Sequence, residues 1–526
     1  MTAVDAAPSR AAGTERGIRL ALAGLLGLLV VTVAHLVLAY MRHWLNEDHT
    51  ILWFAARDLG HLTFPQPSYY GAAYFSVFEA APAEALRRAG VPLGTAVFVS
   101  TATLMTIGWV WFALVAWRRG RFAMAAAALA VPVVITTEFL VSADSPGGRG
   151  AGTFCAMTGV AILLFAPARP VPIALFALLG GLGTLWDFGS ALLVVPVGVY
   201  MLALNWRRWR VLAWGAIGSV VPLAFALGQR AFYADHPDYN VHRAAGFMPK
   251  LSILRDTIRE PGRYFAWLSP ELSRTSVVPI VAGAILLFFL ARTRRAEVIL
   301  PGVALVAIVL FSLSTPKALD GTPSVYVGYG RYFLSVPAAL WFLGWVLTEA
   351  RPPSPRLQRR LVYGIAAFAV VTFAVRLVTF DDRTGDIRRV AADPARAGAP
   401  VFAADAVAAR CDAVEHAADR AGVDYVVFRG DRVGAYACAA RDYGTLETIH
   451  PIYDRRTWLL HDANEENRTK FLVTDVDEGW CINARAIVES CELDPVDSTI
   501  AVVTTAPQPV LETWRQLGEE IRPFDQ

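Results

Sequence analysis

The 526-residue chain is 55% hydrophobic and only 18% charged, with a mean hydropathy of +0.43. Soluble proteins carry roughly 25% charged residues, so this composition argues against a purely cytoplasmic globular enzyme, and more strongly against a disordered or nucleic-acid-binding chain. The net charge of +3 is the sum of two unlike parts: residues 381–526 hold 27 acidic and 16 basic residues (net −11), which leaves 18 acidic and 32 basic (net +14) in 1–380. Such an asymmetry needs a physical cause.

A bilayer-spanning helix needs about 20 mostly apolar residues. Eleven candidate runs follow one another in 1–380: 18–40, 93–116, 122–141, 151–167, 170–186, 188–204, 211–228, 276–291, 297–314, 333–348 and 361–379. The first continues past its apolar stretch without a small-residue cleavage site and reads as a retained helix, not a signal peptide. Basic turns follow alternate runs: Arg118, Arg119 and Arg121; Arg207, Arg208 and Arg210; Arg292, Arg294 and Arg295; Arg351, Arg356, Arg359 and Arg360. With Arg10, Arg16 and Arg19 they fall on one side, which the positive-inside rule makes cytoplasmic. Of the 18 acidic residues in 1–380, only Asp5, Glu15, Glu297 and Glu349 lie on that side. The expected fold is a multi-pass α-helical membrane protein of about eleven spans. Residues 1–17 form a cytoplasmic tail, 18–380 the membrane body with outer loops 41–92, 138–151, 229–275 and 315–332, and 381–526 an extracytoplasmic α/β domain.

The first outer loop is dense in aromatics (Trp44, Trp53, Phe54, Tyr69, Tyr70, Tyr74), as membrane interfaces are. It has amphipathic helical spacing at 50–59 and 74–88. It opens with Glu47-Asp48-His49. Two carboxylates and an imidazole at the mouth of a span are costly unless solvated, paired or bound to a cation; alternatively, Asp48 caps a helix starting near Thr50. The next outer segment, TEFLVSADSPGGRGAG from Thr137 to Gly152, carries Glu138, Asp144 and Arg149 on turn-forming Pro and Gly. Asp187 is another outer-edge acid. Later loops bring His236, Asp238, His242, Lys250, Arg255 and Arg259, then Lys317, Asp320, Tyr326, Tyr329, Arg331 and Tyr332. Arg149 also fits as a partner that merely neutralises Asp144, and Arg331 as a snorkelling headgroup anchor. No HExxH, paired CxxC, Walker A or GxSxG motif is present; a reactive site would be built on carboxylates.

In the C-terminal segment, β-rich runs at 425–428, 471–476 and 499–504 alternate with helical patterns at 404–420 and 508–518. Cys155 lies in an apolar run and reads as a core residue. Cys411, Cys438, Cys481 and Cys491 all fall in the segment placed outside, which fits disulfides in an oxidising compartment. The local pairs Cys411–Cys438 and Cys481–Cys491 are expected; four unpaired buried thiols are the alternative.

These residues resemble the GT-C superfamily of integral-membrane glycosyltransferases, in its bacterial branch of protein mannosyltransferase-like and aminoarabinose-transferase-like enzymes. Asp48 and HTILWFAARDLGHLTFPQPSYYG after it, with Ala56-Arg57, match the family's first outer loop. Gly330-Arg331-Tyr332-Phe333 running to Pro337 matches a late outer loop entering a helix. His49 stands where the family has a second acid, and Asp144 or Glu138 could supply the acid of the second loop. The resemblance implies inverting transfer of a sugar from a polyprenyl-phosphate donor to a glycan, lipid or protein acceptor at the outer face of the cell (inner) membrane. Asp48 would be the general base beside Glu47, and Arg331, with Lys317 in reserve, would hold the phosphate. Tyr332, Asp144, Arg149, His49 and Arg57 would contact substrate. A divalent cation, Mg or Mn, on Asp48 with Asp144 or Glu138 would be the one cofactor; membrane lipids would be partners and nucleic acid would not. Rival readings are a lipid-linked-substrate transporter or flippase, which would carry ionisable residues within its spans and often an internal repeat, and a non-catalytic envelope-assembly protein.

Overall fold

The computed structural model describes residues 8–62, 66–70, 72, 74–237, 248–316, 333–392, 401–429, 432–441, 447–449 and 467–518. Of the described residues, 74% are helical. The body is built, in chain order, from α1 (Pro8–Ala39), α2 (Glu47–Gly60), α3 (Ala80–Arg88), α4 (Leu93–Arg118), α5 (Phe122–Val134), α6 (Thr137–Asp144), α7 (Gly150–Phe165), α8 (Pro170–Trp186), α9 (Ala191–Asn205) and α10 (Trp209–Asp235). It continues through α11 (Leu251–Arg259), α12 (Pro261–Phe265), α13 (Val277–Ala291), α14 (Ala296–Leu313), α15 (Val336–Ala350) and α16 (Pro355–Ala392). Six of these segments are long and apolar enough to cross a membrane and five more are shorter apolar helices, and each coincides with one of the eleven runs. Their outward faces are apolar: on α10, Ile217, Val220, Val221, Leu223 and Leu227 are exposed, as are Ile285, Phe288 and Phe289 on α13. In water such faces would be strongly unfavourable; in lipid they are the solvated surface.

The two ends of the bundle differ. At one end the basic turns meet. Arg121 stacks on Trp345 at 4.2 Å and pairs with Glu349 at 3.3 Å, Arg119 donates to the Phe165 carbonyl at 2.6 Å, and Arg351 to the Arg292 carbonyl at 3.2 Å. At the other end lie α2, α3, α6, α11 and α12. The 122–141 run is there cut in two, with Pro132 near the end of α5, Ile135 extended (φ −67°, ψ 161°), and the Thr136 side chain capping α6. The freed backbone is paired by the segment before α13: Thr136 N–H donates to the Ser269 carbonyl (3.1 Å) and Glu271 N–H to the Val134 carbonyl (2.7 Å).

The C-terminal segment supplies α17 (Ala404–Ala421), α18 (Arg432–Arg441), α19 (Glu478–Ala484) and α20 (Val510–Gln516). The strands are β1 (Trp44–Leu45), β2 (Phe402–Ala403), β3 (Tyr425–Phe428), β4 (Glu447–Ile449), β5 (Asn467–Thr474), β6 (Ser490–Leu493) and β7 (Ile500–Pro509). Strands β4-β3-β5-β7-β6 form one sheet, parallel at β3 with β4 and β5 and antiparallel at β7. Side-chain alternation splits its faces. Tyr425, Val427, Phe471 and Val473 pack with Trp514 and Cys481 on one face. Val426, Phe428 and Leu472 on the other share a continuous core with Cys411 and Cys438 and with Leu36, Tyr40, Ile51 and Phe54 of the body. The short antiparallel pair of β1 with β2 also ties the two regions together. Disulfides join Cys411 to Cys438 and Cys481 to Cys491; Cys155 is a buried free thiol. Helix α16 runs through residue 380 without a break to Ala392.

Candidate functional site

The site is assembled at the end of the bundle where α2 begins. Asn46, extended at φ −131° and ψ 177°, caps α2. Its side chain accepts from His49 N–H at 3.0 Å, and its own N–H donates to His49 Nδ1 at 3.2 Å. The cap is therefore Asn46 and not Asp48, which sits with Glu47 in the first helical turn, both half-buried. Carboxylates at that position face the positive end of the helix dipole.

His49 Nε2 is in hydrogen-bond contact with Ser145 Oγ at 2.9 Å. The ring is fully buried and packs edge-on against Phe98 at 4.7 Å. Burial pushes its pKa down to about 3, so the imidazole is neutral. His49 is thus a strut joining α2 to the loop after α6. On its other side the Tyr69 hydroxyl lies 3.0 Å from the Asp48 carbonyl and 3.2 Å from Asp48 Oδ1. Tyr69 in turn packs edge-on against Phe75.

The loop that receives His49 is held by a residue that sequence reasoning passed over, Glu79. Its side chain is buried (1% exposed) and accepts from Thr101 Oγ1 at 2.5 Å, Gly150 N–H at 2.6 Å and Gly147 N–H at 3.3 Å. Gly150 opens α7, so the carboxyl group also faces a helix N-terminus. Burial nonetheless raises its pKa, and the nearby Arg149 charge offsets part of that rise. Arg149 lies 5.4 Å over the Phe75 ring. Its charge also opposes the burial-driven rise of Asp187, which accepts from Ser190 Oγ at 2.9 Å, Thr153 Oγ1 at 3.1 Å and Gly189 N–H at 3.2 Å. Arg149 therefore sits with two buried acids, Glu79 and Asp187. A lone Glu in the apolar stretch YFSVFEAAPA was the available signal for Glu79.

Asp144 neighbours Ser145 and is 2% exposed; its Oδ2 has no hydrogen-bond partner among the described residues. Burial lifts its pKa to about 8, so it is protonated at neutral pH. Glu138, at the far end of the same short helix, turns elsewhere. It pairs with Arg274 at 2.6 Å in a cluster that also holds Glu271, which accepts from Thr137 N–H at 2.6 Å, and Arg376, which donates to the Ile135 carbonyl. Among the described residues no three His, Cys, Asp or Glu side chains form a cation site. A protonated Asp144 and an Arg-paired Glu138 are a poor donor set for Mg or Mn.

Arg57 is turned away from this centre: it lies 4.9 Å over Phe54 and 3.3 Å from Asp58. Arg331, Tyr332 and Lys317, with Asp238, His242, Asp320, Tyr326 and Tyr329, lie outside the described residues. His236 is exposed and stacks on Phe232 at 4.6 Å.

An apolar groove runs between α1 and α4. One part, about 450 Å³, is lined by Arg19, Leu26 and Trp117; another, about 360 Å³, by Val30, Leu38 and Val99. Val110 lines both, and Val99 adjoins Phe98, on which His49 packs.

The fold has a solved counterpart. The crystal structure of ArnT from Cupriavidus metallidurans in the apo state matches with a TM-score of 0.58 at 14% identity, covering 94% of this chain and 100% of that one. The chain shares the fold of that protein. The archaeal oligosaccharyltransferase AglB from Archaeoglobus fulgidus, solved with an inhibitory peptide and a dolichol-phosphate, matches with a TM-score of 0.41 at 12% identity over 93% of this chain and 77% of that one; at this distance it carries no argument. No protein-family model matches the chain, and no curated protein matches it. On this helical body, Asp48, Tyr69, His49, Ser145, Asp144, Glu79 and Arg149 come from two neighbouring segments, 46–79 and 144–150, brought together at one end of the spans.

Proposed function

We propose that the chain is a membrane glycosyltransferase that moves a sugar from a polyprenyl-phosphate-linked donor to an acceptor at the outer face of the inner membrane. The observation that carries this reading is the half-buried Asp48 carboxylate, fixed by the Tyr69 hydroxyl at 3.2 Å on a helix that Asn46, His49 and Ser145 lock in place. The fold shared with ArnT supports it, as does the apolar groove ending one residue from Phe98, which offers a hydrocarbon chain a path towards the same end of the bundle.

In the proposed reaction the acceptor hydroxyl oxygen attacks the anomeric carbon. The bond from that carbon to the phosphate oxygen breaks, the polyprenyl phosphate leaves with the electron pair, and Asp48 takes the hydroxyl proton. A single displacement inverts the anomeric configuration. An ordinary carboxylate is a weak base, so Asp48 works by position and partial desolvation. Glu47 in the same turn adds negative charge beside it. Arg331, with Lys317 and Tyr332, is proposed to meet the phosphate, as a guanidinium can bidentately. Arg149, whose charge acts on the buried Glu79 and Asp187 carboxyl groups, serves as a positioning residue. No step is routed through a cation. The basic turns at the opposite end fit the positive-inside rule with the N-terminus cytoplasmic, and two disulfides fit an oxidising compartment for the C-terminal domain.

The test is direct. Purified protein in lipid is given radiolabelled polyprenyl-phosphate sugars and membrane glycan, lipid and protein acceptors. Appearance of a labelled, anomerically inverted product is expected. Transmembrane movement of the donor without any transfer would favour the transporter reading instead.

A further inference from the structure

The half of the site that meets His49 hangs on one short helix. Helix α6, eight residues long, is separated from α5 by the extended Ile135, and Asp144 and Ser145 stand at its far end. At 1.5 Å per residue Ser145 lies about 14 Å from that break, so a tilt of about 10° there carries its hydroxyl about 2 Å. That is enough to part it from His49 Nε2, which it meets at 2.9 Å. Whatever fixes the break therefore fixes this contact.

Two elements hold the break. One is the segment before α13. Beyond its backbone pairing, its Trp267 carbonyl accepts from Thr136 Oγ1 at 2.7 Å, and Glu271 accepts from Thr137 N–H at 2.6 Å and Thr137 Oγ1 at 3.1 Å. Arg274 joins Glu271 to Glu138. The other element is α16, through Arg376, which donates to the Ile135 carbonyl. Arg376 is 3% exposed, and its Nε and Nη1 have no hydrogen-bond partner among the described residues. Burying a guanidinium this incompletely satisfied, on a helix that crosses the membrane, is costly. The carboxylates of Glu138 and Glu271 act on its charge, and with Arg274 the four groups are formally neutral, which makes the charge tolerable. The single bond then identifies what the arginine does there: it grips the residue between the two helices.

The same helix also reaches the other half of the site. From Arg376 to Arg388 is twelve residues, about 18 Å along α16, and Arg388 lies 4.8 Å over the Trp44 ring. Trp44 belongs to β1, two residues before the Asn46 cap of α2. One unbroken helix thus touches the chain just ahead of each half, at Ile135 before α6 and at Trp44 before α2.

We propose that Arg376 is a positioning residue for the Asp48 site. It pins the break between α5 and α6 to α16, holds Ser145 against His49, and so keeps α2 turned to present Asp48. It acts through Ser145 and not on substrate. The proposal rests on the reading of Asp48 as the base, and its test has one readout that does not.

The experiment uses the full chain in lipid nanodiscs. Arg376→Met keeps the length of the side chain and removes its donors and charge, whereas Arg376→Lys keeps a charge and a donor. Hydrogen exchange of the peptide 137–146, which needs no activity, should quicken by about tenfold or more in Arg376→Met, and Arg376→Lys should bring it back towards wild type. Single-turnover transfer from a labelled polyprenyl-phosphate sugar should fall by about tenfold or more in Arg376→Met, with donor binding within about twofold of wild type. In Ser145→Ala, where the contact with His49 is already lost, adding Arg376→Met should lower the rate little further, because the two residues act in series. The exposed Arg389, paired with Asp386 on the same helix, is the control, and Arg389→Gln should change neither readout. Melting temperature checks that each variant is folded. Unchanged exchange at 137–146 in folded Arg376→Met, a loss of donor binding as large as the loss of transfer, or an undiminished further loss in the Ser145→Ala background would each overturn the proposal. No transfer by the wild type would instead sink the reading of Asp48 as a base, and exchange at 137–146 would then decide alone whether Arg376 holds α6.

Discussion

Removing Glu79 should loosen the loop that His49 grips, and the size of the effect follows from its contacts. Its carboxyl group accepts two short hydrogen bonds, from Thr101 Oγ1 (2.5 Å) and Gly150 N–H (2.6 Å), and a longer one from Gly147 N–H (3.3 Å). Truncation to alanine strands both short-bond donors in a buried site, at ~2 kcal/mol each, for a total of ~4 kcal/mol. Glutamine keeps one carbonyl oxygen in place, so Glu79→Gln should lose only ~1–2 kcal/mol. Since about 1.4 kcal/mol is a factor of ten in an equilibrium, Glu79→Ala should speed amide exchange of the peptide spanning Gly147 to Gly150 by roughly three orders of magnitude. Hydrogen exchange with mass spectrometry on the detergent-solubilised protein reads this segment directly, with a flanking α4 peptide as control. Unchanged exchange at 147–150 in Glu79→Ala would refute the reasoning, because the loop would then be held by something other than this carboxyl group.

Three further outcomes are expected. His49 has its pKa lowered from 6.5 to about 3, so the unfolded chain binds its proton first as the pH falls; stability is full above 6.5 and lost on acidification down to about 3, by ~2 kcal/mol at pH 5. Melting curves of His49→Gln should show a correspondingly flatter acid limb, and an identical limb would contradict the buried neutral ring. Asp144 has the opposite sign. With its pKa raised from 3.8 to about 8, its protonated form is the one the fold prefers, so its contribution is present below 3.8 and lost as the pH rises to about 8; Asp144→Asn should gain ~4 kcal/mol over wild type at pH 7 and lose that pH dependence, as measured by melting between pH 5 and 9. Replacing both Cys411 and Cys438, 27 residues apart, by serine should cost ~3.5 kcal/mol of C-terminal-domain stability by loop entropy, read by the urea midpoint of that domain's tryptophan signal.

The membrane architecture was legible because its physics is one-dimensional. Each apolar run had to become a helix to satisfy its own backbone in lipid, and each of the eleven runs overlaps one of the apolar helices. The exception within them, 122–141, broke where Pro132 and the capping Thr136 allow the chain to leave the helix, and a distant segment at 269–271 pairs the freed backbone. That segment's role was not readable, since nothing local to it signals a partner 134 residues away. The site was legible in part. Glu47, Asp48 and His49 stood out as costly charges at a span mouth, yet Asn46 proved to be the cap because only it reaches His49 N–H. Glu138 and Asp144, six residues apart on one short helix, looked interchangeable in sequence; packing sends one to Arg274 and buries the other without a partner for Oδ2. Glu79 was missed because its function, holding two loop amides and a threonine of α4, exists only once α3, α4 and the 145–150 loop have met.

The central claim is that Asp48 takes the proton of the acceptor hydroxyl. Asp48→Asn keeps the shape and the Tyr69 contact to the backbone carbonyl but removes the base, and loss of a positioned base is worth roughly 10²–10⁴-fold in rate. Single-turnover transfer from a labelled polyprenyl-phosphate sugar, with donor binding measured in the same preparation, separates chemistry from binding. The account predicts a fall in transfer of at least a hundredfold with donor binding retained; transfer at the wild-type rate by Asp48→Asn would contradict it.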